Sequence, residues 1–242
     1  TDPCFGDTSD LFIFIVLFWP KLTILAQTQR YLVVAKPSGL LVHRTKMAAA
    51  DNDAVIQRLR DQLGQRVWAV HRLDRATSGC LIMTTNKDWV NEAVEGLQHP
   101  SAEKRYIALV RGNMVGFESP TTVETPIKIK PGTFKEALTH VQKIAGSNEP
   151  RCSLALALPR TGRNHQVRRH LRDVYHPVIR DAVHGDSKCN VAWTANWGLN
   201  RLALHCLSID IPLASGERLQ ATCPVPKDLA NVLHQMPWWE EA

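Results

Sequence analysis

The stretch HRLDRATSG, residues 71–79, sets one carboxylate among cations. Asp74 has Arg72 two positions before it and Arg75 directly after, and Thr77, Ser78 and Gly79 close the stretch. A loop aspartate of this kind commonly hydrogen-bonds its own backbone. A second basic stretch argues for more. RTGRNHQVRRHLR, residues 160–172, carries Arg160, Arg163, Arg168, Arg169 and Arg172 and no acid. On a helix Arg168 and Arg172 share a face while Arg169 looks elsewhere. A solvated cationic face is the plain reading of such a run. The sharper one has some guanidiniums meeting phosphates, a sequence-independent and salt-sensitive contact, and at least one turning inward. An inward arginine beside Asp74 would hold that acid ionised, the form that a nucleophile or base requires.

Composition narrows the setting. The chain has 242 residues, 44% apolar and 21% charged, so it is neither a disordered chain nor a membrane bundle. Its length suits one domain with a sizeable core. A formal net charge of +6 favours an anionic partner, nucleic acid ahead of a membrane surface. Six cysteines (Cys4, Cys80, Cys152, Cys189, Cys206, Cys223) include no C-x-x-C pair, which reads as reduced thiols in a cytoplasmic protein. No Cys/His cluster has zinc-ligand spacing, and no glycine-rich phosphate loop is present. The apolar run LFIFIVLFW, residues 11–19, is too short to span a bilayer. It reads as an extension ahead of the fold or as a buried edge strand, and residues 1–21 are set apart for that reason.

The elements that must position Asp74 follow from periodicity. YLVVAKPSGLLVHR, residues 31–44, reads as two strands around a Lys-Pro-Ser-Gly turn. Residues 53–64 read as a helix, with Asp53 as cap and Gly64 as stop. VWAVHRL (67–73) and GCLIMTT (79–85) read as strands, which leaves Asp74 to Ser78 as the loop between them. A helix over 86–97 and a strand over 104–112 come next. Residues 113–136 read as a surface excursion, and 137–145 with 152–158 as a strand pair. Residues 163–174 look helical with Asn164 as cap, 201–211 form a last strand, and DLANVLHQM a closing helix. Many strands and few helices in mixed order point to an α+β fold around an antiparallel or mixed sheet.

Five ordered motifs then carry a resemblance. HRLDRATSG is similar to the catalytic motif of the RluA-type pseudouridine synthases, His-Arg-Leu-Asp, two free positions, Thr-Ser-Gly. VVAKPSGLLVH, EKRYIALVRG, TGRNHQVRRHL and RLALHCLSI resemble that family's other motifs in order, over about residues 22–225. The resemblance implies that fold: a mixed, mostly antiparallel central sheet with flanking helices and loops, in one catalytic domain over 22–242 with no separate RNA-binding domain. It implies a cofactor-free isomerase that converts a uridine of RNA to pseudouridine after flipping the base out. It makes Asp74 the catalytic aspartate, Tyr106 the ring packed on the target uracil, Arg168 the partner of Asp74, and Leu204 an apolar active-site position. Arg72, Arg163, His165 and Arg169 fall to RNA contact or loop support. Two bland alternatives stand: Tyr106 as a buried strand tyrosine with its hydroxyl paired, and Leu204 as core packing.

Within the family the doubled arginine of HQVRRHL and the stretch HPVIRDAVHGDSKCN look most like the tRNA-modifying members. These act on uridine 65, where the TΨC stem meets the acceptor stem. The ribosomal-RNA members usually show tyrosine where this chain has His184. The expected partner is therefore tRNA, with ribosomal RNA as the alternative, and no metal, no membrane and a monomer are expected. The chain departs from the family at Ala35, usually asparagine, and at Arg180, usually glycine. Arg180 bears on its loop, because glycine tolerates backbone geometries that arginine does not. Two other classes compete. A non-catalytic RNA-binding relative would be free to lose Asp74 or Arg168, yet both are present. A glycosidase-like hydrolase needs two carboxylates, and only Asp181 and Asp186 could supply the second.

Overall fold

A computed structural model describes residues 20–43 and 53–240. The apolar run at 11–19 lies outside them, as does the end of the strand expected up to residue 44. The first strands are β1 (Ile24–Gln27) and β2 (Tyr31–Lys36), followed by helix α1 (Val55–Leu63), β3 (Trp68–Ala69) and β4 (Ser78–Thr84). A 3-10 turn at Lys87–Trp89 leads into α2 (Val90–Gln98), then β5 (Glu103–Arg111), β6 (Thr121–Val123), β7 (Ile127–Lys130) and β8 (Thr133–Lys135). The second half holds β9 (Thr139–Asn148), β10 (Arg151–Pro159), α3 (Gln166–Asp173), α4 (Ser187–Trp197), β11 (Leu204–Pro212), β12 (Arg218–Thr222) and α5 (Lys227–Leu233).

Among the described residues, ten strands form one sheet in the order β1-β2-β4-β11-β5-β10-β9-β6, with β12 beside β11 and β3 beside β4. The α+β architecture expected from the element order is the one observed. β7 and β8 stand apart as a hairpin. Named strands pair antiparallel throughout, except that β4 and β11 run parallel, His205 opposite Ser78 and Cys206 opposite Gly79. Parallel neighbours start at the same edge of the sheet. The loop that feeds β4, with Asp74 in it, therefore lies beside the start of β11, where Leu204 sits.

That parallel crossing explains Gly79. Its φ is +120°, and a Cβ there would stand 2.2 Å from the backbone oxygen of Cys206. No side chain fits, so the last letter of the motif is a close-approach requirement. Every residue of β4 is buried, and Leu81, Ile82 and Met83 are wholly enclosed, each contributing about 1.5–3 kcal/mol by leaving water. Two apolar clusters lie along the sheet, one around β2, β4 and α1, the other around β10, α3 and α5, and Tyr106 packs against both.

Several local expectations are corrected. The strand expected over 67–73 ends at Ala69, because the Ile82 amide is taken by the His71 ring, whose Nε2 accepts at 3.0 Å. Residues 40–43 form no strand beyond one bridge, Leu41 to Ala54. Their carbonyls instead take up the start of α1, with the Val55 amide donating to Leu41 at 2.8 Å and that of Ile56 to Val42 at 3.3 Å. Asp53 is thus not the cap; it receives Arg58 Nε at 2.7 Å. The cap position of α3 falls on His165, not Asn164, and makes no side-chain cap bond. The excursion at 113–136 carries β6 and the β7–β8 hairpin. Helix α4 and strands β1 and β12 have no counterpart in the sequence reading.

Candidate active site

The loop before β4 and the loop before α3 face each other across the sheet and bound a cleft of about 660 Å³, a size common for small-molecule sites. Tyr106 and Leu204 line its floor, Asp74 and Arg168 its walls, and Arg72, Arg163 and His165 also border it. Seven of the eight sequence-selected residues therefore meet in one place. Arg169 does not. Its Nη1 donates to the Lys128 carbonyl at 3.1 Å, so it braces the β7–β8 hairpin beside the cleft.

Arg168 is the inward arginine. It is buried, and its Nη1 donates to Asp74 Oδ2 at 2.9 Å. The other side of the guanidinium is held by Asp181, with Nε on Oδ2 and Nη2 on Oδ1, both at 2.7 Å. Asp181 is 1% exposed. Its Oδ1 also accepts the amides of Val183 and His184, each at 2.9 Å. Burial pushes the Asp181 carboxyl up, but the Arg168 hydrogen bond and these two amides outweigh it and hold the group below the usual carboxylate range. One guanidinium thus joins a fully buried acid to one that is partly buried. Bidentate pairing fixes its plane, and the plane aims Nη1 at Asp74.

The backbone of the Asp74 loop is pinned from below. Lys36 is 1% exposed, and its Nζ donates to the carbonyls of Pro37 (2.9 Å), Arg75 (3.0 Å) and Thr77 (2.7 Å). Burial pushes this ammonium down to about 7, with Arg201 adding to the shift and Asp74 opposing it. Ser78 Oγ bonds His205 Nδ1 at 2.8 Å and receives Arg201 Nη2 at 2.7 Å, while His205 Nε2 meets the Cys223 carbonyl at 3.0 Å. The carbonyl requires a hydrogen on Nε2, which in a neutral ring leaves Nδ1 as the acceptor for Ser78. His71 is kept neutral, pushed down to about 4 by burial and the nearby Lys104. These contacts explain why Lys36, His71 and Ser78 flank the acid.

On the opposite wall Gln166 ties the loop to β9. Its Oε1 accepts from Thr161 Oγ1 (2.7 Å) and the Arg163 amide (3.0 Å), and its Nε2 donates to Leu138 O (2.9 Å) and Thr139 Oγ1 (3.0 Å). Arg163 Nε reaches the Glu136 carbonyl at 3.0 Å. His165 has φ of 54°, a conformation kept by few residues other than glycine and often found at working sites. Its Nε2 lies 3.9 Å from Asp74 Oδ1, and its Nδ1 hydrogen-bonds His184 Nε2 at 2.9 Å. The Tyr106 phenol is raised well above its ordinary value, first by burial and then by its neighbours Cys206, Asp74 and Cys80, so the ring is neutral.

Arg180, where glycine was the expectation, has φ of 65°. The backbone demands the left-handed conformation, and the chain meets it with arginine at a cost of about 1–2 kcal/mol. Asn190 Oδ1 holds the Arg180 amide at 2.6 Å, and Asn190 Nδ2 donates to the Asp181 carbonyl at 2.9 Å. The loop that carries Asp181 is thereby fastened to α4. Four residues that matter here escaped the sequence reading: Lys36, Gln166 and Arg201 had no assigned role, and Asp181 was considered only as a second hydrolytic acid. Their proximity in space is what reveals them.

A cleft with one guanidinium-held carboxylate, an aromatic floor and cationic walls suits a planar base on an anionic backbone. The sequence matches the RNA pseudouridylate synthase family model over residues 30–173, and the chain belongs to that family. It is a pseudouridine synthase, an isomerase of RNA. Among curated relatives, the tRNA pseudouridine synthase C of Pasteurella multocida is 35% identical, covering 87% of this chain and 90% of the relative. That of Haemophilus influenzae is 33% identical, covering 90% and 98%. Of solved structures, human RNA Pseudouridylate Synthase Domain Containing 1 matches with a TM-score of 0.67 and 25% identity over 85% of this chain and 84% of that one. Human RNA Pseudouridylate Synthase Domain Containing 4, at 23% identity and a TM-score of 0.68 over 88% and 94%, shares the fold. No helix among the described residues is long and apolar enough to cross a membrane.

Proposed function

We propose that the chain isomerises a uridine of tRNA, at position 65 where the TΨC stem meets the acceptor stem, in the cytoplasm, as a monomer and without a metal. The relatives named tRNA pseudouridine synthase C support the RNA class. Residues 22–242 are read as one catalytic domain without a separate RNA-binding domain.

The target base leaves its stack, at a cost of a few kcal/mol, and lies on Tyr106, which returns about 1–3 kcal/mol. Leu204 closes the apolar side. Asp74 acts on the ribose, by attack on the anomeric carbon or by removal of the 2′ proton, and the bond from the anomeric carbon to N1 breaks, its electron pair leaving with uracil. The base turns over, C5 joins the anomeric carbon, and the C5 hydrogen leaves. Substrate and product have the same atoms, so no redox group or nucleotide is consumed. Arg168 aims Asp74, Arg72, Arg163 and His165 meet the RNA around the flipped nucleoside, and Arg169 supports a hairpin that bears Lys128, Lys130 and Lys135.

The observation that carries this reading is the bridge from buried Asp181 through Arg168 to Asp74 in the cleft wall. The test is to incubate purified protein with unmodified tRNA and with ribosomal RNA, and to map pseudouridine in both. Product at tRNA position 65 supports it. Product confined to ribosomal RNA refutes the tRNA substrate.

A further inference from the structure

The reaction leaves one proton to be moved, and the roles assigned so far give it no route. The C5–H bond of uracil must break, its electron pair restoring the ring double bond, while N1 gains a hydrogen. A freed Asp74 carboxylate beside the ribose can receive the C5 proton, but it must lose that proton before the next cycle. We propose that His165 and His184 form a proton relay that carries this hydrogen from Asp74 to solvent. The proposal rests on Asp74 as the group that acts at the sugar.

The geometry is that of a short wire. His165 stands in the cleft wall with Nε2 3.9 Å from Asp74 Oδ1. Its Nδ1 meets His184 Nε2 at 2.9 Å, and the rings are set edge to face with centroids 5.1 Å apart. That bond joins two ring nitrogens, so one donates and the other accepts. His184 is half-buried, so part of this outer residue of the pair meets solvent. Both ends are fixed. The left-handed backbone at residue 165 presents the inner ring to Asp74, and Asp181 holds the His184 amide at 2.9 Å while gripping Arg168. The acid that orients Asp74 therefore also orients the outer histidine.

The electrostatics keep the wire neutral. His165 faces Asp74, Arg168, Asp181 and Arg169; His184 faces Asp181, Arg168, His165 and Arg172. Burial lowers both imidazoles and the arginines add to it, against the two acids. A neutral imidazole carries one hydrogen and one lone pair, so it can take a proton at one nitrogen and give one up at the other.

The transfer balances. Asp74 O–H breaks and its proton binds His165 Nε2; His165 Nδ1–H breaks and its proton binds His184 Nε2; His184 Nδ1–H goes to water. Each ring ends neutral in its other tautomer, and N1 of the product takes its hydrogen from solvent. The gap of 3.9 Å is longer than a hydrogen bond. Proton uptake removes the charge by which Arg168 holds Asp74, which frees the carboxyl to swing onto Nε2.

The test uses a tRNA transcript tritiated at uracil C5, with tritium release and pseudouridine read both in a single turnover and over many turnovers at saturating tRNA. The relay acts after C5–H cleavage, so it sets the multiple-turnover rate. His184→Ala is expected to slow multiple-turnover release about 100-fold, within the range for a lost proton-transfer group, with the single-turnover rate and RNA affinity unchanged and added imidazole restoring the multiple-turnover rate. His184→Gln keeps an acceptor for His165 but cannot pass a proton, and is expected to be as slow. Wild-type speed in His184→Gln, or no recovery of His184→Ala with imidazole, would overturn the relay. Should His184→Ala unfold, the His184→Gln rate decides alone. Wild-type release from ribosomal RNA and none from tRNA would refute the substrate instead, and the same variants on that RNA then decide the relay.

Discussion

Removing one charge behind the site, by Asp181→Asn, separates the positioning of Arg168 from the chemistry of Asp74. The wild-type carboxylate accepts four hydrogen bonds: Arg168 Nη2 and the amides of Val183 and His184 on Oδ1, and Arg168 Nε on Oδ2. In asparagine the oxygen can serve the three donors at Oδ1. Its NH₂ then faces Arg168 Nε at a site where the wild-type contact is 2.7 Å, donor against donor. Breaking a buried ion pair from one side costs about 3–5 kcal/mol, and because Asp74 still faces Arg168 the lower end applies, about 3 kcal/mol. At about 2–4 °C per kcal/mol for a chain of this size, Tm falls by about 6–12 °C. The pH dependence has a fixed sign. The folded Asp181 carboxyl titrates below its unfolded counterpart, so its contribution is present above about pH 3.9 and is lost as pH falls through the folded value. Wild type and variant should therefore converge in acid. Arg168, held by one acid rather than two, aims Asp74 less well, and kcat falls by up to about 100-fold with KM little changed. Thermal unfolding at several pH values and steady-state kinetics read all three. A Tm within about 2 °C of wild type, with unchanged kcat, would refute the account of the bridge.

Three other substitutions probe separate parts of the account. Gly79→Ala puts a methyl 2.2 Å from the Cys206 carbonyl oxygen at φ of +120°; the φ alone costs about 1–3 kcal/mol, and a lower Tm with lost activity is expected as the β4–β11 pairing parts. Arg180→Gly relieves a left-handed arginine whose Nε is buried without a partner, and should raise stability by up to about 1 kcal/mol after the entropy of the added glycine is deducted, seen as a higher Tm. Replacing Lys128, Lys130 and Lys135 together with alanine should weaken binding of tRNA irrespective of sequence and flatten the salt dependence, by about 0.9 in the log–log slope for each phosphate no longer neutralised. A slope equal to wild type would show that the β7–β8 hairpin does not meet the RNA backbone.

Much of the site was legible because its chemistry depends on residue types that are costly elsewhere. An acid between arginines and an acid-free arginine run are local facts, and they led to Asp74 and Arg168. What held them in place was not local. Asp181 lies 13 residues beyond Arg168 and reads in the sequence as one loop acid among several. Lys36 precedes Asp74 by 38 positions, and nothing in its neighbours says that its ammonium is buried under three carbonyls. The strands around Asp74 were recognisable from β-rich apolar runs, but their ends were not, because His71 and the carbonyls of Leu41 and Val42 substitute for ordinary partners. Both cap assignments failed for one reason: the amides at those helix starts bond to the carbonyls of Leu41, Val42 and Arg163. Helix α4 was missed since it buries only Asn190 and Trp193, too few positions to leave an apolar stripe.

The most direct measurement is made on Asp74→Asn, which keeps the shape of the side chain and removes only the carboxylate. Incubated with unmodified tRNA, this variant should bind with a Kd within about threefold of wild type, about 0.7 kcal/mol, and form no pseudouridine. Pseudouridine made by Asp74→Asn at a rate near that of wild type would contradict the role given to this acid and to the guanidinium that holds it.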